Sequence, residues 1–237
     1  MGESTVRRAY SIPMTSRRYE DACGIARSLD VIGERWALLV VRELMFGPKR
    51  FTDLREGLRG ISQNVLSQRL RDLEAAGIVR RIVLGPPAST KAYELTALGQ
   101  ALEPVLVAMS RWGALTPVES GLEMSNDAFA LALKALFAPA DTESHPFNGR
   151  VRVKLVRDAF DIEAEAGAID VRRASGADPA LVIEGAESAL RAVMFHRRTL
   201  DDAVEHGDVR IDGERAKAAA FLQRFALPQL TADVTAA

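Results

Sequence analysis

Five polar side chains share one side of a short segment in the N-terminal half of the chain. On a helix over residues 63–76 they fall within an arc of roughly 140° at about 100° per residue: Gln63, Asn64, Ser67, Gln68 and Arg71. Amides pair with adenine in the major groove, a guanidinium pairs with guanine or phosphate, and a hydroxyl bonds several partners. This set predicts recognition of double-stranded DNA.

Apolar residues on the opposite side of the same segment predict how it is held. Leu66, Leu70 and Leu73 share that side, Ser62 precedes the helix as an N-cap, and Gly77 ends it. A solvated face on an ordinary amphipathic helix has the same pattern. The neighbours favour DNA binding, because a partner helix precedes this segment and a two-stranded wing follows it.

Basic residues around this helix are candidates for phosphate contacts, namely Arg50, Arg80 and Lys91. Ser62 at the helix N-terminus and Arg69 within the helix complete the predicted DNA-binding set. Arg69 falls among the leucines, where an unpaired charge is costly. Two interpretations stay open: Arg69 forms a structural ion pair, or it reaches around to a DNA phosphate.

The segments before the polar helix also have helical patterns. A short helix is predicted over residues 19–27, and a longer one begins near Ser28 with apolar residues at helical spacing. Pro48 ends the longer helix, since proline cannot continue it. Thr52 is the predicted N-cap of the next helix. Three helices are therefore predicted upstream of the DNA-reading segment.

The segments after the polar helix alternate as strands do. Residues 78–84 and 91–96 predict a hairpin, and residues 97–112 predict a helix that Pro104 bends. Helices, then a hairpin, then a helix within about a hundred residues is the order of a winged helix-turn-helix domain.

The C-terminal half has a different sequence pattern, which predicts short strands mixed with helices. The order predicts an α+β domain. Its predicted elements are a helix over 127–137, strands within 150–173, 180–185 and 207–213, and helices over 186–196 and 214–226.

We therefore predict a mainly α winged-helix domain followed by an α+β domain. The predicted bounds are a flexible tail over 1–18, a DNA-binding and dimerisation domain over 19–115, a linker over 116–126 and a ligand-binding domain over 127–237.

Composition and charge fit this division. Residues 1–115 hold 17 Lys and Arg against 12 Asp and Glu, whereas residues 116–237 hold 14 against 20. A basic first half suits contact with a polyanion. One cysteine, no signal peptide and no apolar run long enough for a bilayer predict a cytoplasmic, nucleoid-associated protein without a membrane partner.

Three stretches together resemble the HxlR family of bacterial winged-helix regulators: CGIARSLDVIGERWALLVVREL, GPKRFTDLREGLRGISQNVLSQRLRDLEAAGIVRR and KAYELTALGQAL. The resemblance covers about residues 20–115. It implies a homodimer whose first and last helices pair, so that two recognition helices meet an inverted-repeat site. It also implies that Ser62–Ala76 reads DNA and that Ile78–Leu95 is the wing.

Cys23 lies where several members of that family carry an oxidant-sensing cysteine. A regulatory thiol must be exposed and must have a lowered pKa. Arg18, Arg27 or a helix N-terminus would provide the lowered pKa. The alternative is a small buried packing residue. Oxidation is expected to link two subunits through Cys23.

Residues 177–227, ADPALVIEGAESALRAVMFHRRTLDDAVEHGDVRIDGERAKAAAFLQRFAL, are similar to sterol-carrier-protein-type domains. The resemblance covers about residues 127–228 and implies a mixed sheet that encloses an apolar tunnel for a hydrophobic small molecule. The alternative is that the apolar residues form an ordinary core. The candidate pocket residues are Leu190, Val193, Met194, Phe195, Phe221 and Phe225.

Catalysis finds little support in the sequence. His145, His196 and His206 sit in polar or basic surroundings, and the sequence has no HExxH, CxxC, G-x-S-x-G or phosphate-binding glycine loop. We predict a protein that is not an enzyme and has no cofactor or metal. The expected function is a DNA-binding transcriptional regulator, a repressor by analogy with this architecture; the alternative is a lipid or acyl-group carrier with a winged-helix appendage.

Overall fold

Two compact units, divided between Pro104 and Val105, make up the described part of the chain. The structure is a computed structural model that describes residues 19–85, 89–117, 122–138, 147–165 and 167–229. The expected flexible tail over 1–18, the tip of the wing at 86–88 and part of the expected linker lie outside these residues.

The first unit is a winged helix-turn-helix. Its two strands pair antiparallel, with Val79 opposite Leu95 and Val83 opposite Lys91. The elements follow in the order α1 (Gly24–Ile32), α2 (Ala37–Leu44), α3 (Phe51–Gly57), α4 (Gln63–Ala75), β1 (Val79–Val83), β2 (Lys91–Leu95) and α5 (Ala97–Gln100).

The core of the first unit lies where α2 and α3 meet α4 and the wing. Leu44 of α2 and Leu54 of α3 are fully buried, and so is Leu66 of α4. Gly77 ends α4 with φ +72°, a backbone conformation that glycine adopts freely. Thr96 then donates from its hydroxyl to the carbonyl of Gly77, at 2.5 Å, which fixes the end of β2 against the end of α4.

The prediction of one long helix from Ser28 was wrong, because the chain breaks between α1 and α2. Gly33 caps α1, and a Cβ there would lie 2.4 Å from the carbonyl oxygen of Leu29. Trp36 then adopts φ +77° in the left-handed region, which no α-helix can contain. The apolar period continues across the break, so it gave no sign of the turn.

Two further boundaries differ from the prediction. Helix α3 begins at Phe51, not after Thr52, because Asp53 accepts from the backbone N–H of Arg50 at 3.1 Å and so supplies the cap. The expected single helix over 97–112 is two helices, α5 and α6 (Glu103–Gly113). Pro104 lacks an N–H and would clash with the carbonyl four residues earlier, which separates the helices instead of bending one.

The second unit is built on a mixed sheet, as expected. In the described residues, five strands lie in the order β5-β4-β3-β6-β7; β3 and β6 are parallel and the other neighbours antiparallel. The elements after α6 are α7 (Asn126–Leu136), β3 (Gly149–Lys154), β4 (Ala159–Glu165), β5 (Ala168–Arg173), β6 (Val182–Gly185), α8 (Glu187–Met194), α9 (Leu200–Glu205), β7 (Val209–Asp212) and α10 (Arg215–Leu222).

Aromatic contacts and one buried arginine hold this second unit. Phe221 of α10 packs edge-to-face on Phe225 with the ring centres 5.1 Å apart. Arg152 of β3, which is buried, donates to Asp161 at 2.6 Å and to Asp178 at 2.6 Å. These bonds join β3 to β4 and to the chain before β6, and they satisfy a charge that would otherwise be costly to bury.

Candidate nucleic-acid interface

Helix α4 is fixed from one side and presents its polar residues on the other. Ser62 accepts from the backbone N–H of Val65 at 3.3 Å, so the predicted N-cap is confirmed. Leu66, Leu70 and Leu73 are at most 1% exposed, as the wheel predicted. Since the leucine side of the helix is buried, the opposite side is held toward solvent.

The predicted polar arc lies on that solvent side. Gln63, Asn64, Gln68 and Arg71 are exposed, and Ser67 is half-buried. These side chains therefore come together on one face of α4. Their amides and guanidinium have the donors and acceptors that base edges in the major groove require.

A short chain of hydrogen bonds organises part of this arc. Gln68 donates from its amide nitrogen to Asp72 at 2.8 Å, and its amide oxygen accepts from Arg71 at 2.6 Å. Asp72 was not among the predicted site residues. A carboxylate four positions after a glutamine on a helix could have revealed it, because such side chains lie side by side.

Arg69 forms ion pairs within the protein. Its guanidinium lies 3.2 Å from the carboxylate of Asp72 and 3.5 Å from that of Glu34, in the turn after α1, and its side chain is 13% exposed. Its Nε is buried with no hydrogen-bond partner in the described part of the chain. Of the two open interpretations, the geometry favours the structural ion pair.

The wing carries the basic residues that the sequence suggested. Lys91 and Arg80 are exposed, but Arg80 lies 2.6 Å from the carboxylate of Glu94 on the paired strand. Arg81 is 3.0 Å from Glu74 of α4 and lies over the ring of Tyr93. The pair between Arg81 and Glu74 joins the wing to the C-terminal end of α4.

Backbone bonds also tie the wing to the segment before α3. Lys49 donates from its N–H to the carbonyl of Tyr93 at 3.0 Å, and the N–H of Tyr93 donates back at 2.8 Å. Arg50, the next residue, is half-buried at the start of α3. The predicted phosphate-contact residue Arg50 therefore lies beside the wing.

A buried carboxylate under α3 was missed by the sequence analysis. Glu43 of α2 has no exposed side-chain surface, and it lies 2.8 Å from both Arg42 and Lys49. A Cβ on Gly57 of α3 would lie 2.1 Å from its Oε2. The signal in the sequence was an acidic residue within the apolar stretch of α2, which predicts a paired charge.

Cys23 is exposed at the N-terminus of α1. Hydrogen bonding to the backbone N–H of Ala26 and, to a smaller extent, of Ile25 lowers the pKa of the Cys23 thiol below its ordinary value. The cause is the helix terminus, one of the options considered, rather than Arg27. Arg18, the other arginine considered, lies outside the described residues.

The candidate pocket residues of the second unit lie mostly in its core. Leu190, Met194, Phe221 and Phe225 are buried, and Phe225 also packs on Phe137 at 5.6 Å between ring centres. Val193 is buried too, but it lines a surface cleft. Phe195, the sixth candidate, is half-buried at the C-terminal end of α8.

Among the described residues, none of the helices has both the length and the hydropathy needed to cross a bilayer. In the same residues, no cluster of three or more His, Cys, Asp and Glu side chains could hold a metal ion.

Comparison with known proteins gave matches to the N-terminal half of the chain. Residues 31–119 match the HxlR-like helix-turn-helix family. The chain is 39% identical over 92 residues to YkvN of Bacillus subtilis, an uncharacterised HTH-type transcriptional regulator, covering 39% of this chain and 78% of YkvN. It is also 39% identical over 92 residues to the HTH-type regulator sll1512 of Synechocystis, covering 39% of this chain and 68% of that protein.

Solved structures show the same coverage. The reduced form of the transcriptional regulator YodB from B. subtilis is 38% identical and aligns with a TM-score of 0.35, covering 39% of this chain and 92% of YodB.

Proposed function

Because the chain belongs to the HxlR-like helix-turn-helix family, we propose that it is a DNA-binding transcriptional repressor that binds an inverted-repeat operator as a homodimer. The observation that carries this proposal is the arrangement of α4, in which three buried leucines fix the helix and the amides and guanidinium of the opposite face are exposed. Such a regulator acts where its DNA is, in the cytoplasm at the nucleoid.

The proposed base contacts come from the exposed arc of α4, and the phosphate contacts from residues that flank it. Gln63, Asn64, Ser67, Gln68 and Arg71 meet base edges, while Ser62 at the helix N-terminus approaches a phosphate. Three basic residues neutralise further phosphates on either side of the helix. Arg50 lies before α3, Arg80 on β1 and Lys91 on β2.

Apolar side chains that face solvent support the proposed dimer. On α1, Ile25 is 73% exposed and Leu29 is also exposed; on α6, Met109 is exposed and Trp112 is 71% exposed. Large apolar residues spaced at three or four positions form one stripe on a helix, and contiguous exposed stripes mark association surfaces. We assign the DNA-binding and dimerisation domain to residues 19–115 on this basis.

The test of DNA recognition is a salt-titrated anisotropy assay on the protein's own upstream DNA and on a scrambled duplex. We expect sequence-preferring binding that weakens steeply as salt rises. Gln68→Ala should lower discrimination at one base pair by about 1–3 kcal/mol. Gln100→Ala, an exposed glutamine on α5, is the matched control. Equal loss by Gln68→Ala on both duplexes would contradict base reading.

The test of the dimer is sedimentation equilibrium of the full chain. Trp112→Glu should weaken self-association and inverted-repeat binding together, because it buries a charge in the proposed interface. Val156→Glu changes a comparably exposed apolar residue between β3 and β4, outside the proposed DNA and dimer surfaces, and serves as the control. A wild-type chain that stays monomeric at micromolar concentration while binding the inverted repeat tightly would contradict the proposal.

The proposal includes a redox response through Cys23, supported by its exposure and its lowered pKa. The chain has one cysteine, so any disulfide must join two subunits. Diamide would take two electrons and two protons from a pair of Cys23 thiols and leave one S–S bond. A non-reducing gel should then show a linked dimer that Cys23→Ser abolishes. Diamide-treated wild type that runs only as monomer would remove this part.

We also propose that residues 127–237 form a ligand-binding domain of the sterol-carrier type, which responds to an apolar effector. Its mixed sheet with flanking helices supports this assignment. Extraction of the purified chain with organic solvent, followed by mass spectrometry, tests whether a hydrophobic molecule copurifies. A clean extract together with no ligand-induced rise in melting temperature across a lipid panel would contradict it.

A further inference from the structure

We propose that a cleft between α8, α9 and α10 binds a compact organic acid, a molecule with one apolar body and one carboxylate. The cleft has a volume of about 370 Å³. Ligand sites span roughly 300–1,000 Å³, so a small molecule suits its size. The regulatory part of this inference rests on the proposed function; the binding site itself does not.

The floor of the cleft is apolar. Val193 of α8, Leu200 of α9 and Leu222 of α10 line it, together with Ala219, whose short side chain leaves the space open. Val193 and Leu222 are largely buried and continue into the core. A ligand body against this floor would remove apolar surface from water on both partners.

The rim of the cleft is basic. His196, Arg197 and Arg198 follow one another in the turn between α8 and α9 and all line the cleft, and none of its lining residues in the described part of the chain is acidic. Arg198 is held by Asp202 and by Asp208, the latter at 2.5 Å. Arg197 is exposed, and within the described residues no carboxylate pairs with it. Arg197 is therefore the cation available to a ligand carboxylate.

The backbone of the rim supports the same assignment. His196 adopts φ +56°, in the left-handed region that non-glycine residues seldom occupy. Backbone bonds from Arg197 and Arg198 to the carbonyl of Ala192, at 2.9 and 3.2 Å, hold the turn in place. The turn thus keeps three consecutive basic side chains at the edge of an apolar floor.

Helix α8 joins this cleft to the segment that follows α6 in the chain. At the far end of α8 from the cleft, Glu187 accepts from the backbone N–H of Met124 at 3.1 Å. Arg191 donates to the carbonyl of Leu122 at 2.8 Å. A ligand that shifts α8 therefore acts directly on residues 122–124, which lead back to α6 and the proposed dimer surface.

Calorimetry on the full chain with 2-naphthoate, and with 2-naphthalenemethanol as its neutral counterpart, tests the site. We expect saturable 1:1 binding of the acid that is at least tenfold tighter than that of the alcohol. Arg197→Gln should weaken the acid at least tenfold, whereas Arg210→Gln, an exposed arginine on β7, should leave it unchanged. Equal affinity for acid and alcohol, or equal effects of the two variants, would overturn the carboxylate assignment.

A second variant fills the cleft without touching its charge. Ala219→Trp should abolish naphthoate binding while circular dichroism and operator binding stay as in wild type. Undiminished naphthoate binding by this variant would overturn the location. In wild type, naphthoate should change operator affinity several-fold, and Arg197→Gln should remove that change. If naphthoate does not bind, this inference is wrong. Operator binding, which tests the proposed function, is measured separately and does not depend on that result.

Discussion

Replacing Arg69 by methionine separates an internal ion pair from a phosphate contact. Arg69 lies 3.2 Å from Asp72 and 3.5 Å from Glu34, and the Glu34 side chain is 62% exposed. Pairs that water reaches are worth about 0–1 kcal/mol. The buried Nε without a partner offsets part of that gain, since an unsatisfied donor costs about 1–3 kcal/mol. Methionine keeps the unbranched apolar stem of the side chain and removes the guanidinium.

The expected change in the free energy of unfolding for Arg69→Met is therefore within about 1 kcal/mol of wild type. Its effect on DNA binding should be small at any salt concentration. Each phosphate contact adds about 0.9 to the slope of log K against log salt, so Arg69→Met should leave the slope unchanged. Lys91→Met, an exposed wing residue, should lower it by about 0.9.

The assays are urea unfolding followed by tryptophan fluorescence and anisotropy titrations between 50 and about 200 mM salt, the range over which phosphate contacts differ most clearly. A fall in the salt slope for Arg69→Met as large as that for Lys91→Met would refute the ion-pair assignment. A loss of stability well beyond about 1 kcal/mol would refute the energetic argument, because the ion pairs of Arg69 would then be worth more than pairs that water reaches.

Three further predictions follow from contacts in both units. Gly57→Ala should destabilise the chain by about 1–3 kcal/mol in urea unfolding, because its Cβ would lie 2.1 Å from Glu43; Gly24→Ala, with nothing within 4 Å, should have little effect. Iodoacetamide should alkylate Cys23 faster in the folded chain than in urea at pH 7.5, because the lowered pKa raises the thiolate fraction. Asp161→Asn should cost stability at pH 6 but less at pH 3. The hydrogen bond from the neighbouring buried arginine lowers the pKa of Asp161, so its stabilisation is full above the ordinary pKa of about 3.9 and is lost as pH falls below it.

The recognition helix was predictable because its determinants are local. A serine cap, leucines at helical spacing and a terminal glycine act within one stretch of chain, and all are confirmed for Ser62, Leu66, Leu70, Leu73 and Gly77. Strands of the second unit followed from alternation in the same way, whereas the mixed sheet was implied by the resemblance to sterol-carrier-protein-type domains. Where the residue pattern and the backbone preferences of a single element agree, the sequence alone is sufficient to predict that element.

Features that depend on distant residues were not predictable. The turn at Trp36 interrupts an apolar period that continues through it, so that period alone predicts one uninterrupted helix. Glu34, in the turn after α1, pairs with Arg69 although the two residues are 35 positions apart in the sequence. The basic cleft is lined by Val193, Arg197 and Ala219, which come from different parts of the chain. Phe221 was a candidate pocket residue in the sequence and is fully buried.

The reciprocal backbone bonds between Lys49 and Tyr93 set a fixed distance between the wing and the start of α3. Neither part can move away from the other without breaking both bonds. Groove width varies with sequence even at base pairs that no side chain touches. If the proposed DNA complex forms through both parts, we expect its sequence preference to extend to flanking positions, where the stiffness of the DNA sets the groove width.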